Sequence, residues 1–341
     1  MRIRAVLVAC LVVASSLIAT PALADDGDDE ALGPFGPWSA PENLGAPVNT
    51  KYEESAPAQP DGHTIYFNRN FNTAGNADED LYVTTSAQGH TWSEPTPLDL
   101  LNTPTFNERN AAFSRDARLL FFSSDRTGGS GGLDLYVSWR TDRHDDGAWS
   151  APLNLGAAVN TAGGEVGPAY VEDEAGRTVL YFTRNSGQGA DIFRAQVIDP
   201  AGLRRDTNGD GMVDDGVFAP PPAVPVSELN SLAGDARPAI RIDGLELFFH
   251  SNRTQLQSAC PDLNRPPSGM QDLWFSTRTS PTDPWSCPAN LGSNVNTAAN
   301  DIQAYLSDDA ETLYYSGNRA DGLGMDDIWL IRREQLPDNN G

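Results

Sequence analysis

Short apolar runs alternate along the chain with turns rich in Gly, Asn, Asp and Pro, and the alternation repeats as a unit. Each unit opens on a Trp-Ser-x-Pro step, as at Trp38, Trp92, Trp149 and Trp285, with Phe218-Ala219-Pro220 as a degraded copy. An Asn-Thr step follows at 49–50, 102–103, 160–161 and 296–297, and Asn230-Ser231 fills the fourth place. Next come an acid (Glu54, Glu108, Glu165, Asp235, Asp301), an aromatic run such as Leu180-Tyr181-Phe182, and an arginine (Arg69, Arg126, Arg184, Arg253, Arg319). Each unit ends on an Asp followed by two apolar residues, at Asp80, Asp134, Asp191, Asp272 and Asp327. Those aspartates lie 54, 57, 81 and 55 residues apart, and the long interval carries an insertion at 199–217.

No stretch has helical periodicity. β-Branched and aromatic residues fill the runs, and turn formers separate them. A period near 50 residues leaves room for four short strands per unit and predicts an all-β, five-bladed β-propeller of four-stranded antiparallel blades; six blades is the alternative. A single propeller over 38–333 escapes the usual size limit of one core, because each unit packs mainly on its neighbours. The segment at Trp38–Leu44 is placed to complete the last blade, which removes an exposed edge. The acid then starts each innermost strand, and the Asn-Thr loop shares a face with the loop after the arginine.

The turns Asp61-Gly62 and Asp243-Gly244, the aromatic strands, the following arginine and the Asp-(Ile/Leu)-aromatic steps resemble the PD40 family of WD40-like repeats, as in the TolB propeller. The resemblance spans roughly residues 38–331. It departs from the family where Pro57, Pro168 and Pro238 give way to Ala111 and Ala304. It implies the propeller fold; without the extra N-terminal domain of TolB it says little of the Tol role.

Arg2 and Arg4, the apolar run Ala5–Ile18 and Ala22-Leu23-Ala24 read as a secretory signal over residues 1–24. Cys10 comes too early for a lipoprotein box. An acidic leader follows at 25–36, and a tail at 334–341 ends the chain. No other stretch is long and apolar enough to span a membrane. An exported protein, periplasmic or extracellular, is expected. Cys260 and Cys287 would then form a disulfide, although two free thiols are the alternative. The net charge is −24, and −24 − 2 = −26 once the two signal arginines are gone. Lys51 is the only lysine. Such a chain is ill suited to nucleic-acid backbone or anionic membrane.

Within the insertion, Asp206, Asn208, Asp210, Met212 (through its carbonyl) and Asp214 have the spacing of a calcium loop, with Gly211 at the turn and Asp215 as the substitute for the last ligand. Val217 stands where an EF-hand has its bidentate Glu. The alternative is a solvated acidic turn. The five repeated acids are expected either to ring the pore mouth as a binding feature or to be held structurally between blades. The repeated Arg and Asp are expected to build the blades. His63, His90, His144 and His250 lack metal spacing.

Because no blade has its own nucleophile, base and orienting group, the expectation is a non-catalytic, monomeric module, not an enzyme, that binds a protein or basic peptide. The alternatives are a five-bladed glycan-active hydrolase, with acids such as Glu54 and Glu165 as acid and base, and a calcium-stabilised structural or carbohydrate-binding module.

Overall fold

The computed structural model describes residues 35–71, 79–86, 91–173, 176–185, 189–254 and 270–336. The secretory signal, most of the acidic leader, Cys10 and Cys260 lie outside them. Cys287 is disulfide-bonded, and its partner also lies outside the described residues.

The strands are β1 (Glu42–Asn43), β2 (Glu53–Ala58), β3 (Thr64–Asn70), β4 (Glu79–Thr85), β5 (Thr96–Pro97), β6 (Glu108–Phe113), β7 (Leu119–Ser124), β8 (Asp134–Trp139), β9 (Leu153–Asn154) and β10 (Gly164–Glu172). They continue with β11 (Thr178–Asn185), β12 (Ala190–Val197), β13 (Val224–Pro225), β14 (Asp235–Ile240), β15 (Glu246–Ser251), β16 (Asp272–Thr277), β17 (Ala289–Asn290), β18 (Asp301–Leu306), β19 (Thr312–Gly317) and β20 (Asp327–Arg332). They form five four-stranded antiparallel blades: β2–β5, β6–β9, β10–β13, β14–β17, and β18–β20 with β1. The first strand closes the last blade by pairing Glu42 with Leu330 and Asn43 with Trp329.

Adjacent residues of a strand face opposite sides, so the paired aromatics of each second strand glue a blade to both neighbours. Phe122 packs with Tyr66 of the first blade, and Phe121 packs with Tyr170 of the third. The same division holds for Tyr181 and Phe182, for Phe248 and Phe249, and for Tyr314 and Tyr315. The apolar core is therefore five clusters, one per blade interface. Burial of each such ring stabilises by roughly 1.5–3 kcal/mol.

The repeated polar residues build the blades' upper ends. Asn49 receives Ile328 N–H and donates to its carbonyl, each at 2.9 Å, as a strand would. Asn102, Asn160, Asn230 and Asn296 treat Leu81, Leu135, Ile192 and Leu273 alike. Asp327, Asp134 and Asp272 accept from Asn43, Asn154 and Asn290. Asp80 pairs by register with Arg69, and Asp191 with Arg184.

The insertion packs as a wedge. Asn154 donates to the Gly211 carbonyl at 3.0 Å and receives Val213 N–H at 3.0 Å. Leu203, Val213 and Val217 sink into the cluster between the second and third blades.

Candidate functional site

The innermost strands β2, β6, β10, β14 and β18 line a central channel. Their repeated acids, which the sequence left open between binding and structure, are each fully buried. Glu54 accepts from Thr50 N–H and hydroxyl at 2.8 and 2.7 Å and pairs with Arg69 at 3.0 Å. Arg69 also donates to the Val48 carbonyl at 2.7 Å. Glu108 with Arg126 and Glu165 with Arg184 repeat this at 3.0 and 2.7 Å. Asp235 pairs with Arg253, and Asp301 with Arg319 at 3.4 Å. Burial pushes Glu54 and Glu108 up, and Asp301 up to about 6. These acids latch a loop to a strand, with no face left for a ligand.

A second set of acids occupies the channel mouth, one residue before members of the repeated set. Glu53 precedes Glu54, Glu79 precedes Asp80, and Asp326 precedes Asp327. Glu53 and Glu79 are both in register with Asn70 of the strand between them, so their side chains share one face. Glu54 N–H donates to the Asp326 carbonyl at 2.8 Å, which brings the fifth blade's loop against them. Arg109 of the second blade meets Glu79 at 2.8 Å. Burial, then the charges of Glu79 and Asp326, pushes Glu53 up to about 7. Burial, then Asp327 and Glu79, pushes Asp326 up to about 6. The other blades carry Asn107, Gly164, Gly234 and Asn300 where the first has Glu53. That break in the repeat, two acids in a row, is the signal that reading for repetition passes over.

Below the mouth, each innermost strand carries one left-handed residue: Ala56, Asn110, Gly167, Arg237 and Gln303, with φ from 50° to 62°. The register slips there in every blade. The freed N–H turns to the neighbouring blade: Ala56 to Ser316 at 2.9 Å, Asn110 to Asn68 at 2.9 Å, Arg237 to Thr183 at 2.6 Å, and Gln303 to His250 Nδ1 at 3.2 Å. His250 is thus an acceptor inside a joint. Burial, then Arg237, pushes it down to about 3. The side chains of this ring narrow the channel to a waist. Beyond it lies a cavity of about 90 Å³ walled by Pro57, Ala111, Pro168, Pro238 and Ala304 and fringed by Glu172 and Asp308.

In the insertion, Asp206 accepts from the N–H groups of Gly209, Asp210 and Gly211, and Asn208 donates to Asp210 at 3.0 Å. Met212 N–H donates to Asp210, and Asp214 accepts from Thr207. Val217 is buried, has no side-chain oxygen, and its carbonyl accepts from Ile198 N–H at 2.8 Å. Among the described residues no group of three His, Cys, Asp or Glu is arranged to hold a metal. No helix among them is long and apolar enough to cross a membrane.

No family model matches the chain, and no curated protein matches it in sequence. Solved structures match over most of its length. A thermostable family-43 glycoside hydrolase has a TM-score of 0.52 at 14% identity, covering 86% of this chain and 93% of its own. An α-L-arabinofuranosidase from Lactobacillus brevis has 0.52 at 11%, covering 86% and 94%. A Bacillus subtilis arabinanase has 0.50 at 12%, covering 86% and 97%. At these identities the likeness is one of fold. It corrects the resemblance drawn from the repeats: the neighbours are glycoside hydrolases, not PD40 or TolB propellers. The residues that carried that resemblance, such as Arg69 and Asp80, build the blades here. The same neighbours overturn the expectation of a non-catalytic, peptide-binding module that is not an enzyme. That expectation rested on an absence of unique residues, yet Glu53 and Arg109 have no like residue in the other blades, and an acid precedes the repeated aspartate only in the first and fifth, at Glu79 and Asp326.

Proposed function

We propose that the protein is a glycan-active hydrolase working at the acidic mouth of its channel. The observation that carries this is the convergence of Glu53, Glu79 and Asp326, with Arg109 paired to Glu79. Hydrolysis of a glycosidic bond needs one carboxyl that holds its proton and one that has lost it. Glu53, raised to about 7, is the proton donor to the leaving oxygen. Glu79, ion-paired with Arg109, is the base that activates water. Two strand spacings of ~4.8 Å set their Cα atoms ~10 Å apart, with Asn70 on the strand between them. Asp326 holds up the proton affinity of Glu53. Glu54 and Glu165 are spent on Arg69 and Arg184 and take no part. The fold neighbours, hydrolases by their descriptions, agree with this reading.

The test is release of reducing ends from a panel of plant and microbial polysaccharides by the wild-type protein and by Glu53→Gln and Glu79→Gln. Cleavage by the wild type, reduced ~10²–10⁴-fold in each variant, is expected. Failure to cleave any glycan, or full activity in both variants, would overturn the proposal. Export to the periplasm or beyond belongs to the same proposal. Calcium in the insertion is a separate one, resting on the spacing of its oxygen-bearing residues, and calcium-dependent melting tests it.

A further inference from the structure

The waist of the channel holds a cation that the fold does not use. Arg237 is the only charged residue among the five left-handed positions; its counterparts are Ala56, Asn110, Gly167 and Gln303. Its side chain lies over Gly167 of the neighbouring blade, where a Cβ would stand 2.5 Å from Arg237 Cδ. The guanidinium lines the cavity, and its buried Nη1 has no hydrogen-bond partner among the described residues. The repeated arginines all reach a carboxylate and a carbonyl. Arg237 reaches neither, in a chain of net charge −24. The nearest charges are Arg109, which repels it, and Glu79, already paired with Arg109. His250 beside it is neutral and commits Nδ1 to Gln303.

A half-buried guanidinium with a buried, unpartnered nitrogen and no carboxylate in contact is unfavourable unless something supplies a counter-ion. A fold that keeps one facing a cavity has placed it for an anion from outside. The planar fork of Arg matches two coplanar oxygens. Asn110 and Gln303, at the same level, add amide groups. We infer that the channel binds a carboxylate-bearing ligand with the carboxylate on Arg237. We further assign the glycan's acidic residues as uronic acids, a step that rests on the hydrolytic reading of the mouth. The raised proton affinity of Glu53 and Asp326 lowers the negative charge that such a ligand must pass.

The test is thermal melting of the Glu53→Gln protein, where nothing is hydrolysed, with sodium glucuronate, sodium sulfate or glucose, repeated in a background that adds Arg237→Gln. Gln is tolerated at this φ, as Gln303 shows. Glucuronate should raise the Tm, glucose should not, and Arg237→Gln should weaken glucuronate about tenfold or more, the scale of one charge-assisted contact. An equal response to glucuronate in both backgrounds, or none in either, overturns the site. A response to sulfate alone that Arg237→Gln abolishes keeps the anion site and replaces the uronate with a sulfate ester. Glucuronate binding through Arg237 with no glycan cleaved by the wild type would sink the hydrolase and leave the anion site standing. Cleavage of a neutral glycan with no glucuronate response would do the reverse.

Discussion

Glu53 and Glu79 stand in line across the first blade, both opposite Asn70, and Arg109 forms its ion pair with Glu79. Burial and the neighbouring acids raise the proton affinity of Glu53. Hydrolysis should therefore fall as pH rises through about 7, where Glu53 loses its proton. A pH–rate profile checks this. In Glu53→Asp, whose shorter carboxyl sits deeper, the remaining activity should keep an alkaline limb. In Glu53→Gln the limb should vanish along with most of the rate. A wild-type profile flat from pH 6 to 8 would remove Glu53 as the acid.

The same residue sets a stability trend. Glu53 and Asp326 have folded pKa values of about 7 and about 6, above the ordinary 4.5 and 3.8. At pH values between the two states' pKa values the folded state binds more protons than the unfolded one. Their contribution is therefore complete below about pH 4 and is lost as pH rises to about 7. The Tm should decline across that window, and less steeply in Glu53→Gln, whose amide needs no proton. Melting curves at half-unit pH steps measure the slope; a wild-type Tm that rises over the window in parallel with Glu53→Gln would contradict it.

The blade latches and the channel mouth differ in how far the sequence reveals them. Glu54, Arg69, Asn49 and Thr50 recur because every blade must satisfy the same loop N–H groups and carbonyls, so repetition makes them visible. The paired aromatics are visible for the same reason: each blade has two neighbours to grip. The mouth is the reverse case. Strand pairing within the first blade aligns Glu53 with Glu79, and only closure of that blade against the fifth brings Asp326, far along the chain, beside them. Doubled acids at 53–54, 79–80 and 326–327 were the visible trace. The second member of each pair recurs in every blade, whereas the first belongs to the acidic cluster. Arg237 was hidden further, since its role depends on a left-handed backbone and on a glycine in the next blade.

The latch at the fourth blade tests how much these pairs hold. Arg253 and Asp235 are both buried, and Arg253 also donates to the Leu229 carbonyl at 2.6 Å. Removing one member leaves an uncompensated charge, which costs about 3–5 kcal/mol. Arg253→Met should lower stability by that amount. The double variant Arg253→Met/Asp235→Leu should recover part of it, because no lone charge is left behind. Urea denaturation of the four proteins gives the cycle. Additive losses would mean the two side chains act separately.

Gly167 offers a sharper test, because backbone and side-chain effects separate there. Its φ of +60° is left-handed, yet Ala56 and Asn110 adopt nearly the same angle at equivalent positions. A Cβ at 167 therefore costs only about 1–2 kcal/mol in backbone terms. The larger obstacle is Arg237, whose Cδ would lie 2.5 Å from the new methyl. Gly167→Ala should destabilise by a further ~1–3 kcal/mol of overpacking, or else push the guanidinium out of its present path. Adding Arg237→Ala removes the clashing Cδ, so the double variant should be more stable than the sum of the single losses predicts. The cycle measured by urea denaturation should show a coupling of at least ~1 kcal/mol. Strict additivity would show that Arg237 does not lie across Gly167, and the positioning of its charge at the waist would fall with it.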